Sequence, residues 1–274
     1  MPRKDRLGIT ISLVVTGLIL AILAPLPSYE LPLLVLGSDL TLRFSGTVQL
    51  AIIIIGLVAT GVDAIMRTHP LVQGRSLPYR FTFWVLPTVL ALAGLALLSD
   101  LPWWGYQIVI ILATAGALSV AIVCEYRTID PQDPRHRIAR LVLNAAVYVV
   151  ALLMLVIIYT SRARSVISAT GVLAASTLLA LELLRVEGDQ TARTWLYAGI
   201  TGMIMAELTW ALNYLAIDAR VGGAALLLAF YAATGLAQQH LWRRLTRRVV
   251  LEYGLVCFMG LALLTGYHAW LPAD

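Results

Sequence analysis

Residues 125–160 read EYRTIDPQDPRHRIARLVLNAAVYVVALLMLVIIYT, and this stretch decides the fold. Its first part carries Arg127, Arg135, Arg137 and Arg140 with two Asp-Pro steps, whereas 141–160 carries no charge. The hydrocarbon core of a bilayer is about 30 Å thick, which a helix crosses in roughly 20 apolar residues. An uncharged run of that length, entered from a basic loop, reads as a membrane-spanning helix that leaves the cytoplasm.

Working outward, the same pattern recurs along the chain. Apolar runs fall near 8–26, 46–66, 80–98, 104–124, 140–160, 166–184, 194–216, 221–241 and 249–270. Backbone polar groups must be satisfied internally in lipid, so each run is expected to be a helix. The chain is 60% hydrophobic and 13% charged, against about 25% charged in a soluble domain. The expectation is therefore an all-α, polytopic integral membrane bundle of nine transmembrane helices, forming one helical domain over 1–274.

The cations fix an orientation. Arg3, Lys4, Arg6, Arg67, Arg75, Arg80, Arg127, Arg135, Arg137, Arg140, Arg185, Arg193, Arg243, Arg244, Arg247 and Arg248 fall on one side of the nine runs. Only Arg43, Arg162, Arg164 and Arg220 fall on the other. The positive-inside rule then places the N-terminus in the cytoplasm and the C-terminus outside, in a plasma membrane of the bacterial inner-membrane type. The first run has the basic flank of a signal peptide, but Pro25 after Ala24 blocks cleavage, so it reads as an uncleaved anchor. The net charge of +5 is assigned to arginines facing anionic lipid on the cytoplasmic side, with no nucleic-acid partner. Cys124 and Cys257 lie in separate runs without CxxC spacing and read as packing residues.

Two loops have content. In the outer segment 27–45, Leu40, Leu42 and Phe44 alternate with Thr41, Arg43 and Ser45, the two-residue period of a strand. With Gly37, Ser38 and Asp39 as the turn, a small hairpin capping the helix ends is expected. In the loop 125–140, Asp130, Asp133 and His136 share a three-residue spacing, but Asp133–Pro134 is better read as a helix N-cap with proline at N1. No metal and no cofactor is expected. Pro87 should kink the third helix, and small residues at Ala225, Ala229, Ala233 and Ala237, and at Ala198 and Gly202, should allow close helix approach.

Acids close several helices beside an arginine. Asp63 with Arg67, Glu182 with Arg185 and Arg248 with Glu252 are read as interfacial ion pairs. The only lysine is Lys4, which excludes a Schiff-base lysine within a span, and neither HExxH nor G-x-S-x-G occurs. No catalytic residue is assigned.

Glu207 resists the interfacial reading. It lies thirteen residues into the run 194–216, roughly 20 Å from the cytoplasmic edge. An ionised acid near the bilayer centre costs about 2.5–3.5 kcal/mol, so Glu207 is expected to face the bundle. Trp210 and Tyr214 share its helical face, with Asn213 beside it and His268 at similar depth on the ninth helix. Together they form the candidate ligand-binding or proton-linked site. Tyr106, Gln107, Tyr231 and Thr234 are further candidates to meet this stripe, whereas Asn144 and Tyr148 read as a separate interhelical pair.

Three functions compete on this reading. The first is a transporter or binding protein for a small solute or lipid, worked by Glu207. The second is an accessory or assembly subunit, with a membrane-protein partner or a homo-oligomer. The third is an intramembrane enzyme on a lipid-linked substrate, for which Glu30 and Asp39 in the outer loop are the only placed acids.

Overall fold

The computed structural model describes residues 4–23, 27–35, 38–100, 103–161, 165–185, 191–215 and 217–270. Among them are nine α-helices: α1 (Lys4–Leu23), α2 (Gly46–Met66), α3 (Leu77–Asp100), α4 (Trp104–Thr128), α5 (His136–Thr160), α6 (Ser165–Leu183), α7 (Thr191–Asn213), α8 (Ala219–Leu241) and α9 (Arg247–Trp270). Each coincides with one apolar run of the sequence. Seven of the nine are long and apolar enough to cross a membrane. The exceptions are α6, whose apolar part is the shorter Ile167–Leu183, and α7, which is interrupted by Arg193, Glu207 and several threonines.

Among the described residues, one β-hairpin interrupts the helices. Strand β1 (Tyr29–Val35) pairs antiparallel with β2 (Ser38–Phe44), in the register Tyr29 to Phe44 and Val35 to Ser38. Ser38 and Asp39 therefore belong to the strand and not to the turn, a shift of the expected boundary by two residues. The hairpin runs directly into α2, where the Ser45 hydroxyl accepts from the Val48 amide at 3.3 Å as an N-cap. The Gln49 side-chain amide donates to the Pro27 carbonyl at 2.9 Å, tying the two ends of the segment together.

The chain divides into two compact units, Met1–Arg140 and Leu141–Asp274. In the first, α1 packs on α2, α3 and α4, and α3 carries a buried face of Phe83, Leu86 and Ala91. Helix α3 continues through Pro87. A Cβ on Gly61 would collide with Thr10 and one on Gly94 with Thr114, so α1–α2 and α3–α4 pass at close range.

In the second unit the closest approaches also use glycine. A Cβ at Gly202 would strike Thr177 and lie 2.9 Å from the Leu173 carbonyl oxygen, which locks α7 onto α6. Ala198 on the same face is fully buried, as the small-residue spacing predicts. On α8, Gly222 meets the Tyr159 ring, Gly223 meets Val156 and Gly235 meets the Tyr253 ring. The alanine stripe Ala225, Ala229, Ala233 and Ala237 is only half-buried, so glycines rather than alanines make the contact. Tyr159 donates its hydroxyl to the Leu212 carbonyl at 2.9 Å, joining α5 to the end of α7.

The loop 125–140 is stitched by its aspartates. Asp130 Oδ1 accepts from the Gln132 amide at 2.9 Å and Asp133 Oδ1 from the Arg135 amide at 2.8 Å. These are the side-chain turns that Asp-Pro steps favour. Helix α5 begins at His136, so Pro134 precedes the helix instead of occupying its first position.

Candidate functional site

The five candidate residues fare differently. Glu207, Trp210 and Tyr214 do share one face of α7, and the Trp210 indole N–H donates to the Tyr214 hydroxyl at 3.1 Å. That face is open. Trp210 is 48% and Tyr214 78% exposed, and Glu207 is exposed as well. The expectation that Glu207 turns into the bundle is thus corrected. The inward face of α7 is taken by the buried Ala198, Gly202, Met205 and Thr209, with Gly202 lying close against α6, and Glu207 falls outside that arc.

Its depth changes too. Since α7 spans Thr191–Asn213, Glu207 lies past the midpoint, roughly 9 Å from the C-terminal end. The face continues as Leu196, Ile200 and Met203, so the carboxyl sits within an otherwise apolar exposed stripe. It has no side-chain partner among the described residues. Asn213 points elsewhere: its amide donates to the Ser168 hydroxyl at 3.0 Å, fastening the α6–α7 hairpin. The side chain of His268 lies outside the described residues.

The other candidates assemble away from this stripe. Tyr148 meets Thr234 at 3.5 Å between the hydroxyl oxygens, and its ring contacts Phe230 and Tyr231. Tyr231 in turn packs against Tyr253 with ring centroids 5.3 Å apart. This hydroxyl and aromatic cluster of α5, α8 and α9 was invisible in the sequence because its members are far apart in the chain. Gln107 lines a cavity of about 330 Å³ in the first unit, with Thr47, Leu50, Leu98 and Ser99. Trp103 and Trp104 are exposed at the start of α4, where an interfacial aromatic belt would place them.

The acid–arginine pairs form, and the acids Asp63, Glu125 and Glu182 are buried within the protein. Asp63 Oδ2 lies 2.6 Å from Arg67 Nε, and Arg80 Nη1 from the next helix lies 2.9 Å and 3.2 Å from the two carboxylate oxygens. Arg80 was not foreseen as the partner, although it opens α3 just across a short loop. Glu182 is 1% exposed and bonds Arg185 Nη1 at 3.2 Å, and Glu125 is fully buried. Arg248 and Glu252 pair at 3.1 Å in the open. Near the Asp63 cluster, His69 Nδ1 accepts from the Leu71 amide at 3.3 Å and its ring meets Tyr126 edge-on. Burial lowers the pKa of His69, opposed in part by Asp130.

No group of three or more His, Cys, Asp or Glu that could hold a metal occurs among the described residues. Long apolar helices packed through glycine define a helical membrane protein. More particularly, the chain belongs to the family described as "Protein of unknown function (DUF5656)", whose match covers residues 26–266. No curated protein and no solved structure matches the chain.

Proposed function

We propose that this protein is a non-enzymatic, nine-span protein of the bacterial plasma membrane, oriented with its N-terminus in the cytoplasm, that holds a partner membrane segment on the exposed face of α7. The observation that carries this reading is Glu207, exposed and without a side-chain partner among the described residues, inside the stripe Leu196, Ile200, Met203, Trp210 and Tyr214. A carboxyl facing lipid is unfavourable by up to about 3 kcal/mol at mid-membrane and by less near a helix end. A neighbouring helix offering a hydrogen-bond donor at that depth removes the cost. Solute transport would instead ask for a chamber at Glu207, and the cavities described here have other walls.

The test is a photo-crosslinking residue at Met203, on the stripe, against one at Leu263 on the exposed side of α9. A discrete protein adduct at 203 that disappears in the Glu207→Ala background supports docking. Lipid adducts alone at both positions would sink it. Orientation is checked separately by labelling Leu245→Cys from the cytoplasmic side in whole cells.

A further inference from the structure

We propose that the cleft between the start of α7 and the α8–α9 turn binds a phosphate group. The cleft has a volume of about 720 Å³ and is lined by Arg193, Tyr197, His240 and Arg243, with Leu196 and Leu245 at its edge. Its described lining contains no acid. The side chains of Arg193 and Arg243 have no ion-pair or hydrogen-bond partner among the described residues. His240 is held in place by its ring contact with Tyr197, centroids 5.5 Å apart.

The backbone adds an independent sign. Arg243 has φ +54°, the only positive φ at a non-glycine residue among those described. It follows the end of α8, where its amide donates to the His240 carbonyl and the next amide, of Arg244, to Gln239. This is the left-handed helix-terminating position that glycine fills most easily. A strained backbone carrying a bulky cation points to a use for that cation. The positive-inside bias explains arginines in this turn, but it explains neither the left-handed residue nor the open cleft.

A second cleft makes the contrast. In the first unit, Arg67, Arg75 and Arg80 border a cavity of about 430 Å³. There Arg67 and Arg80 are engaged by Asp63, and Arg75 lies over the Tyr79 ring at 5.5 Å. Its guanidinium groups are committed, whereas those of Arg193 and Arg243 meet no acid among the described residues. Guanidinium forks match phosphate oxygens bidentately, and basic pockets at the cytoplasmic ends of membrane helices suit lipid head groups. A lipid head group and a free phosphate share this chemistry. The cytoplasmic placement rests on the orientation proposed above, but the binding itself does not.

The experiment uses the full chain in nanodiscs, where both faces are wet, so orientation has no bearing on the readout. Retention of phosphatidylglycerol against phosphatidylcholine is followed by native mass spectrometry, and thermal stability is followed with and without inorganic phosphate. Arg193→Gln with Arg243→Gly should weaken retention by at least about tenfold, the lower end for a single lost charge-assisted hydrogen bond when two guanidinium groups are removed. Arg243→Gly relaxes the backbone, so the variant should unfold no earlier than wild type. Arg244→Gln with Arg247→Gln removes the same charge nearby and should retain lipid normally. A phosphatidylglycerol preference unaffected by phosphate assigns a lipid head group, and phosphate-dependent stabilisation without that preference assigns free phosphate. Equal losses in both double variants, or no response to either probe, would overturn the proposal.

Discussion

Asp63 and Glu207 present the same carboxylate in apolar helices and in opposite surroundings. Asp63 sits near the C-terminal end of α2, 8% exposed, clamped by Arg67 from its own helix and Arg80 from the next. Glu207 sits on the open face of α7, with apolar neighbours on its own helix and no cation in reach among the described residues. Burial and pairing make the first a structural element of its unit. Exposure without pairing makes the second available to something outside the chain. Charge in an apolar helix therefore has no fixed meaning, and its partners decide its role.

The comparison breaks most visibly at Arg80. Arg80→Ala leaves Asp63 buried with only Arg67, whose side chain is 59% exposed. Removing one partner of a buried pair costs about 3–5 kcal/mol, so a large fall in Tm in detergent is expected. Arg67→Ala should cost under about 1 kcal/mol, because an exposed arginine contributes little. Equal effects from the two variants would show that the clamp is not asymmetric as the geometry has it.

Helix packing comes next in size. Gly202→Ala forces a methyl against Thr177 and the Leu173 carbonyl, and overpacking of this kind costs about 1–3 kcal/mol. Gly199→Ala, one turn away with nothing near its Cβ position, should leave Tm unchanged or raised. Similar losses at both glycines would mean that α6 and α7 are not in close contact.

A smaller effect belongs to His69. Its folded pKa lies below the ordinary 6.5 because burial disfavours the charged ring, and its Nδ1 must stay unprotonated to accept from Leu71. The unfolded chain then binds the proton more readily, so stability is complete above about pH 6.5 and declines as pH falls through the folded value. His69→Asn keeps an acceptor at this position and should flatten the Tm-against-pH curve below about pH 6.5. An unchanged slope would remove His69 as its source.

Smallest of all should be Glu207→Gln. With no side-chain partner among the described residues to lose, its Tm should stay within the shift of about half a kcal/mol typical of surface changes. Normal folding of this variant, together with loss of the crosslink at 203 in Glu207→Ala, would sharpen the contrast with Asp63. A fall in Tm as large as that of Arg80→Ala would erase it.

Helix positions were legible because apolar runs need no tertiary information. The run 46–66 and the helix Gly46–Met66 coincide, and the runs 104–124 and 140–160 differ from their helices only by added polar turns at one end. Strand alternation over 40–44 likewise marked β2 before any pairing was known. What failed was the facing of side chains. Glu207 was expected inward because ionised groups avoid lipid, yet the buried arc of α7 holds Ala198, Gly202 and Thr209, with Gly202 close against α6. Tyr231 and Thr234 were expected beside Glu207 on depth alone and instead meet Tyr148 and Tyr253.

The apolar runs alone located the nine helices seen among the described residues, with their ends to within about a turn. Hydrophobic run length and loop charge act locally, residue by residue, and do not depend on how helices meet. Only the tertiary structure decided that Arg80 completes the Asp63 clamp, that Arg193 reaches the same cleft as Arg243, and that Glu207 looks outward. Those outcomes depend on which helix faces fit closely enough to exclude the rest, and glycine contacts such as Gly202 against Thr177 settle that choice.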